Sequence, residues 1–122
     1  MSDIILGEMQ SHFADLIWEN APINSGKLAK LAEEELHWKK PTTYTVLRIL
    51  CQKGLFRNED SVVSPVMTRE DYYLAVSRET IREGFGGSLP SFIAAFASAD
   101  KLSEAEIAEL EETIRRFRKE RQ

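Results

Sequence analysis

Between Pro41 and Val66 the chain prescribes a helix with a marked start and stop, followed by two short β-prone runs around a polar quartet. Proline suits the first turn of a helix, where its missing N–H has no intrahelical partner to lose, and Gly54 suits the left-handed position after a last turn. Leu55-Phe56-Arg57 and Val62-Val63-Ser64-Pro65-Val66, separated by Asn58-Glu59-Asp60-Ser61, read as a hairpin with a polar tip. Two amphipathic segments precede this block. The first runs from about Gly7 to Asn20, with Met9, Phe13, Leu16 and Ile17 at helical spacing, and Asn20-Ala21-Pro22 ends it. The second begins at Asn24 or Ser25, either of which can cap a helix. It continues to Leu36, with Leu28, Leu31 and Ala32 facing inward and Glu33-Glu34-Glu35 solvated. Three helices and a hairpin in this order are the pattern of a winged helix-turn-helix.

The second half has no strand signal. Thr68-Arg69-Glu70-Asp71 opens a helix in the manner of a capping box, and that helix runs to about Glu83, where Gly84-Phe85-Gly86-Gly87 breaks it. Ser88 caps a short helix through about Ala97, and Ser103 with Glu106 forms a second capping box. The last helix places Ile107, Leu110, Ile114 and Phe117 on one narrow stripe, with acids early and Arg115, Arg116, Arg118 and Lys119 late, as the helix dipole favours. A stripe under two heptads long suits packing on another helix, either within the chain or from a second copy. Three small helices without a sheet bury little alone, so a dimer in which both kinds of packing occur is expected. The fold class is therefore mainly α: a winged helix-turn-helix domain with a small hairpin wing over 1–67 and a three-helix dimerisation domain over 68–122.

Composition excludes several classes. With 43% apolar and 30% charged residues the chain is neither disordered nor low in complexity. No apolar run approaches the roughly 18–20 residues that span a bilayer, so no membrane insertion is expected. The start, MSDIILGEMQ, lacks the basic and apolar stretches of a secretory signal, and a cytoplasmic location is expected. Cys51 is the single cysteine, which leaves no intrachain disulfide and no cysteine metal cluster. His12 and His37 lie on different segments and no H-E-x-x-H occurs. No catalytic residue, metal site or cofactor is expected. Gly84-Phe85-Gly86-Gly87 has neither a preceding strand nor a following Lys-Ser/Thr, so it reads as a helix end and linker rather than a phosphate loop.

The net charge of −4 hides a local excess. Of the 16 Lys and Arg residues, five (Lys39, Lys40, Arg48, Lys53 and Arg57) lie between His37 and Arg57, where no acid occurs; eleven remain elsewhere, against all 20 acids. For a polyanionic partner, charge on one face matters more than the total. At about 100° per residue, Thr43, Val46, Leu47, Leu50 and Gly54 share one side of the third helix. Pro41, Thr42, Thr45, Arg48, Ile49 and Gln52 share the other, with Tyr44 and Lys53 at the borders. Arg pairs with guanine edges, Gln with adenine, and Thr offers both a hydrogen bond and a contact to the thymine methyl. Lys39 and Lys40 before the helix, and Ser25 and Lys27 at the start of the second, are placed to reach phosphates. The candidate DNA-binding residues are thus Ser25, Lys27, Lys39, Lys40, Thr42, Thr45, Arg48, Gln52 and Lys53. The candidate dimerisation residues are Ile107, Leu110, Ile114 and Phe117.

Several stretches carry a resemblance. Leu16-Ile17-Trp18-Glu19, Thr42-Thr43-Tyr44-Thr45-Val46-Leu47, Lys53-Gly54-Leu55, Phe85-Gly86-Gly87-Ser88-Leu89 and Lys101-Leu102-Ser103-Glu104-Ala105-Glu106-Ile107 occur in an order and spacing that resemble the penicillinase repressor (BlaI/MecI/CopY) family of winged-helix regulators. The resemblance covers nearly the whole chain. It implies a homodimer that binds a palindromic double-stranded DNA operator and represses β-lactam resistance genes or its own operon. It places Thr42, Thr45 and Arg48 in the recognition helix and Lys39 and Lys40 in the turn before it. In antibiotic-responsive members a membrane sensor metalloprotease cleaves an Asn-Phe bond in the dimerisation domain. The aligned bond here, Ala95-Phe96, lacks the Asn.

Three departures from the family pattern stand out. Ile49 occupies a position where the family usually has Arg, leaving Arg48 beside it to supply a guanidinium, and Ile49 to meet a thymine methyl or lie exposed. The wing is short and acidic, which repels a phosphate backbone. The carboxy terminus lacks the cysteine-rich motif of the copper-responsive branch, so copper sensing is not expected. A second hypothesis, favoured by the acidic wing and by Ile49, is a winged-helix dimer acting as a protein-interaction module without sequence-specific DNA binding.

Overall fold

The computed structural model describes residues 4–122; residues 1–3, part of the stretch read for a secretory signal, lie outside the described residues. Six helices and a small sheet follow in the order α1 (Glu8–Asn20), β1 (Ile23–Asn24), α2 (Ser25–Leu36), α3 (Lys40–Gln52), β2 (Phe56–Glu59), β3 (Val62–Pro65), α4 (Arg69–Phe85), α5 (Leu89–Ala99) and α6 (Glu104–Glu120). A winged helix-turn-helix leads into a helical segment, as the sequence predicts.

Local chemistry sets the helix ends. Asn24, the first of the two cap candidates, caps α2: its Oδ1 accepts from the N–H groups of Gly26 (2.8 Å) and Lys27 (3.3 Å). Thr68 Oγ1 accepts from Asp71 N–H at the start of α4, and Ser88 Oγ accepts from Ser91 N–H at the start of α5. At α6 the capping box is complete, with Ser103 Oγ accepting from Glu106 N–H and Glu106 Oε1 accepting from Ser103 N–H. α4 runs two residues past its expected end, through Gly84 and Phe85, and stops where Gly86 (φ 58) and Gly87 (φ 82) turn left-handed.

The sheet is antiparallel in the order β1-β3-β2. The β2–β3 hairpin pairs Phe56 with Pro65 and Glu59 with Val62. The expected four-residue tip is corrected by this register: Asn58 and Glu59 belong to β2, and only Asp60 (φ 52) and Ser61 (φ 63) form the turn. Positive φ at both central residues matches the twist of the flanking strands. The third strand, β1, pairs Ile23 with Val63 and Asn24 with Val62.

The core sits between α1, α2, α3 and the sheet. Phe13, Ile17, Leu28, Leu47, Leu50, Leu55, Phe56 and Val63 are fully buried, with Ala14 and Ala32 between them. Fully burying a Leu, Ile or Phe side chain contributes about 1.5–3 kcal/mol each, so this cluster holds the winged helix together. Met9, read as part of the inward stripe of α1, is 47% exposed. Trp18 joins the core to the start of α4: its Nε1–H donates to Met67 O (3.0 Å), and its ring meets Phe56 and Tyr72 at 5.1 and 5.5 Å. Arg69 lies over the same ring, with Nε 3.2 Å from Asp15 Oδ1 and Nη2 3.7 Å from Glu19 Oε1. Tyr72 is buried, and its hydroxyl accepts from Leu6 N–H. Desolvation, reinforced by Tyr73 and Asp15 and opposed by that hydrogen bond, raises the Tyr72 phenol above its usual range.

Beyond Tyr72 the pattern changes. Neither α5 nor α6 contains a buried residue. Phe85 and Phe92 meet edge to face (5.2 Å), joining the end of α4 to α5. No described helix is long and apolar enough to cross a membrane.

Candidate nucleic-acid interface

α3 presents two distinct faces. Thr43, Leu47 and Leu50 are buried, and Val46 packs partly against the same core. Pro41, Thr42, Thr45, Arg48 and Gln52 are exposed, and Tyr44 stands at the border at 38% exposure. The 3.6-residue period therefore places Thr42, Thr45, Arg48 and Gln52 together on the outer surface. Ile49 is half-buried rather than fully exposed, which leaves Arg48 as the dominant group at the middle of this face. No ion pair holds Arg48 among the described residues, so its guanidinium donors are not committed within the chain.

Lys39 is the N-cap of α3 and Lys40 its first residue; both are exposed. Lys53 is half-buried at the opposite cap. At 1.5 Å per residue Lys40 and Lys53 lie about 20 Å apart, too far to share one anion.

Ser25, expected to reach a phosphate, opens α2 beside the sheet. It is 8% exposed, and its backbone N–H donates to Ser61 O (2.8 Å), extending the β1–β3 ladder by one bond. Its neighbour Lys27 is exposed. On the same face of α2, Lys30 is also exposed and shares a groove with Lys27 and Lys40. Sequence reasoning missed Lys30 because it lies outside the acid-free block, in a helix that ends in three glutamates.

The wing adds little positive charge. Arg57 Nε lies 3.5 Å from Glu59 Oε1 in the same strand, so the wing's base is matched by its own acid, and Asp60 follows at the turn. Cys51 packs partly against the core, and burial pushes its thiol above the usual range. A thiol held protonated is a poor nucleophile.

The expected dimerisation stripe lies on α6. Ile107, Ile114 and Phe117 are 37%, 54% and 56% exposed, whereas Leu110 is half-buried. Leu110 lines a groove of about 360 Å³ together with Phe92, Ile93, Phe96, Leu102 and Thr113. The stripe thus divides, with Leu110 turned toward α5 and the other three toward solvent. Ala95 and Phe96 are exposed within α5, where Ala95 O accepts from Ser98 Oγ and Phe96 O from Asp100 N–H. The Ala95-Phe96 bond thus lies within regular helix, not in an extended segment.

Three helices, a short hairpin wing and an exposed polar face on the third helix, flanked by lysines, define a winged-helix protein of the DNA-binding regulatory class. Comparison with known sequences gives the family. The penicillinase repressor family model matches residues 6–116. A penicillinase repressor from Bacillus licheniformis is 28% identical over 99 residues, which span 78% of this chain and 77% of that protein. The chain belongs to the penicillinase repressor family, whose members are transcriptional regulators and not enzymes.

Proposed function

We propose that the chain is a homodimeric repressor that binds a palindromic operator in double-stranded DNA through α3, with residues 1–67 reading DNA and 68–122 forming the dimer. The observation that carries this reading is the clean division of α3, with Thr43, Leu47 and Leu50 in the core and Thr42, Thr45, Arg48 and Gln52 outside. A helix in the major groove requires such a face. Lys39 and Lys40 at its start and Lys53 at its end contact flanking phosphates. The exposed Ile107, Ile114 and Phe117 supply the surface that a second copy covers. Such a regulator works in the cytoplasm. A membrane sensor metalloprotease acting near Ala95 and Phe96 is the release route suggested by family resemblance.

The test is binding of the purified full chain to the DNA upstream of its own gene, titrated against salt and against random DNA. The expected result is a sequence-preferring complex of two chains per site, with a log–log salt slope of about −0.9 per neutralised phosphate. A second reading, a protein-interaction module, is favoured by the matched Arg57–Glu59 pair and by Asp60 in the wing. Equal and weak binding to both DNAs by a well-formed dimer would establish that second reading instead.

A further inference from the structure

We infer that the groove between the start of α2 and the start of α3 is a phosphate site, holding one backbone phosphate of the bound DNA in each subunit through Lys27, Lys30 and Lys40. The inference rests on the DNA-binding reading above and adds Lys30 to it.

The groove has a volume of about 520 Å³. Lys27 and Lys30 stand three residues apart on α2 and so share one face of it, while Lys40 enters from the first turn of α3. All three are exposed, and none is ion-paired among the described residues. The floor is made of small residues, Gly26 and Ala29, which let a bulky tetrahedral anion approach the backbone. A Cβ at position 26 would come within 3.0 Å of Asn24 Oδ1, so glycine also keeps the helix cap in place.

The cap decides which groups do the binding. The first amides of a helix are a common phosphate site. Here Gly26 and Lys27 N–H already donate to Asn24 Oδ1, so the lysine ammonium groups must provide the attraction. Glu33 is the carboxylate on the groove's rim and weakens the field there. The groove is continuous with the recognition face, because Lys40 is followed directly by Pro41 and Thr42. A phosphate held there lies beside the strand whose bases α3 reads, which favours DNA over a free anion as the source.

The experiment uses the full chain and its Lys30→Ala and Glu33→Gln variants, with Lys119→Ala on α6 as a control and helicity checked for each. Lys30→Ala is expected to weaken operator and random DNA equally and to make the salt slope shallower by about 0.9 per subunit. Glu33→Gln is expected to strengthen both, and Lys119→Ala to change neither. An unchanged slope for Lys30→Ala, or a loss confined to one base sequence, overturns the phosphate site while leaving the DNA-binding reading intact. Failure of the wild-type chain to bind any DNA overturns both. Inorganic phosphate is titrated separately without DNA, following the backbone amides of residues 26–30. Saturable binding there, combined with an unchanged DNA slope in Lys30→Ala, assigns the groove to a free anion and overturns the inference.

Discussion

The two halves of the chain have similar helical character but opposite relations to solvent. From α1 to the start of α4, ten side chains lie in a continuous cluster around Phe13, Leu50 and Phe56, and Tyr72 closes it. From Tyr73 onward no described residue is buried, and Tyr73, Leu74, Leu89, Phe96, Ile114 and Phe117 are each close to half exposed or more. α4, α5 and α6 each carry a side-chain N-cap, whereas of α1, α2 and α3 only α2 does, so local helix signals do not account for the better-buried half. The difference is the sheet. Three short strands give the amino-terminal helices a surface to close upon, whereas α4, α5 and α6 form an open arm with an apolar stripe. A self-contained amino-terminal core is joined to an arm whose apolar area is incompletely satisfied within one chain.

The contrast can be broken most forcefully from the side of the amino-terminal core. Phe13 is fully buried and meets Trp38 at 5.1 Å, so Phe13→Ala is expected to cost about 3–5 kcal/mol in denaturant unfolding of the chain. A change under about 1 kcal/mol would mean that the cluster does not hold the winged helix together. Phe117→Asp probes the arm. Because Phe117 is 56% exposed, its loss should leave the stability of the single chain nearly unchanged, yet shift the sedimentation of the proposed homodimer to that of a monomer. On the proposed homodimer, loss of the linked second winged helix should weaken operator binding by about a hundredfold or more. An unchanged sedimentation profile would place the stripe inside the chain.

Smaller effects sharpen the same comparison. Arg48→Ala, which removes the central group of the α3 face, is expected to cost about 1–3 kcal/mol in operator binding and to relax preference at one base pair, without altering thermal stability. Equal loss on random DNA would reassign Arg48 to a phosphate. Arg69 joins the halves through Asp15, Glu19 and the Trp18 ring. These groups are partly solvated, so Arg69→Ala should cost only about 0.2–1 kcal/mol. Its clearer signature should be increased hydrogen exchange in the first turn of α4, and unchanged protection there would show that Trp18 and Tyr72 suffice.

The parts legible in the sequence are those fixed by local rules. The two faces of α3 follow from helical period, and the ends of α5 and α6 follow from Ser88, Ser103 and Glu106. What escaped depends on partners distant in the chain. Ile23-Asn24 is too short to show a strand pattern, and only pairing with Val62 and Val63 makes it one. That pairing also buries Ser25, which in the sequence is as good a cap as Asn24 and is placed to reach a phosphate. Lys30 reads as one charge on an acid-rich helix until folding brings it beside Lys40. The division of the α6 stripe was hidden for a related reason: the period groups Leu110 with Ile107 and Ile114, and only the position of α5 turns Leu110 inward.

The Asp60-Ser61 turn has a consequence for how such regulators diversify. Register on either side is held by Glu59 against Val62 and by the Ser25–Ser61 hydrogen bond, so residues inserted between Asp60 and Ser61 would lengthen the hairpin without moving its roots. Doubling a loop's length costs only about 0.6 kcal/mol of closure entropy. A few added lysines or aromatics there could create a second reading element on an unchanged core. The turn is therefore a position where added length carries little risk to the fold.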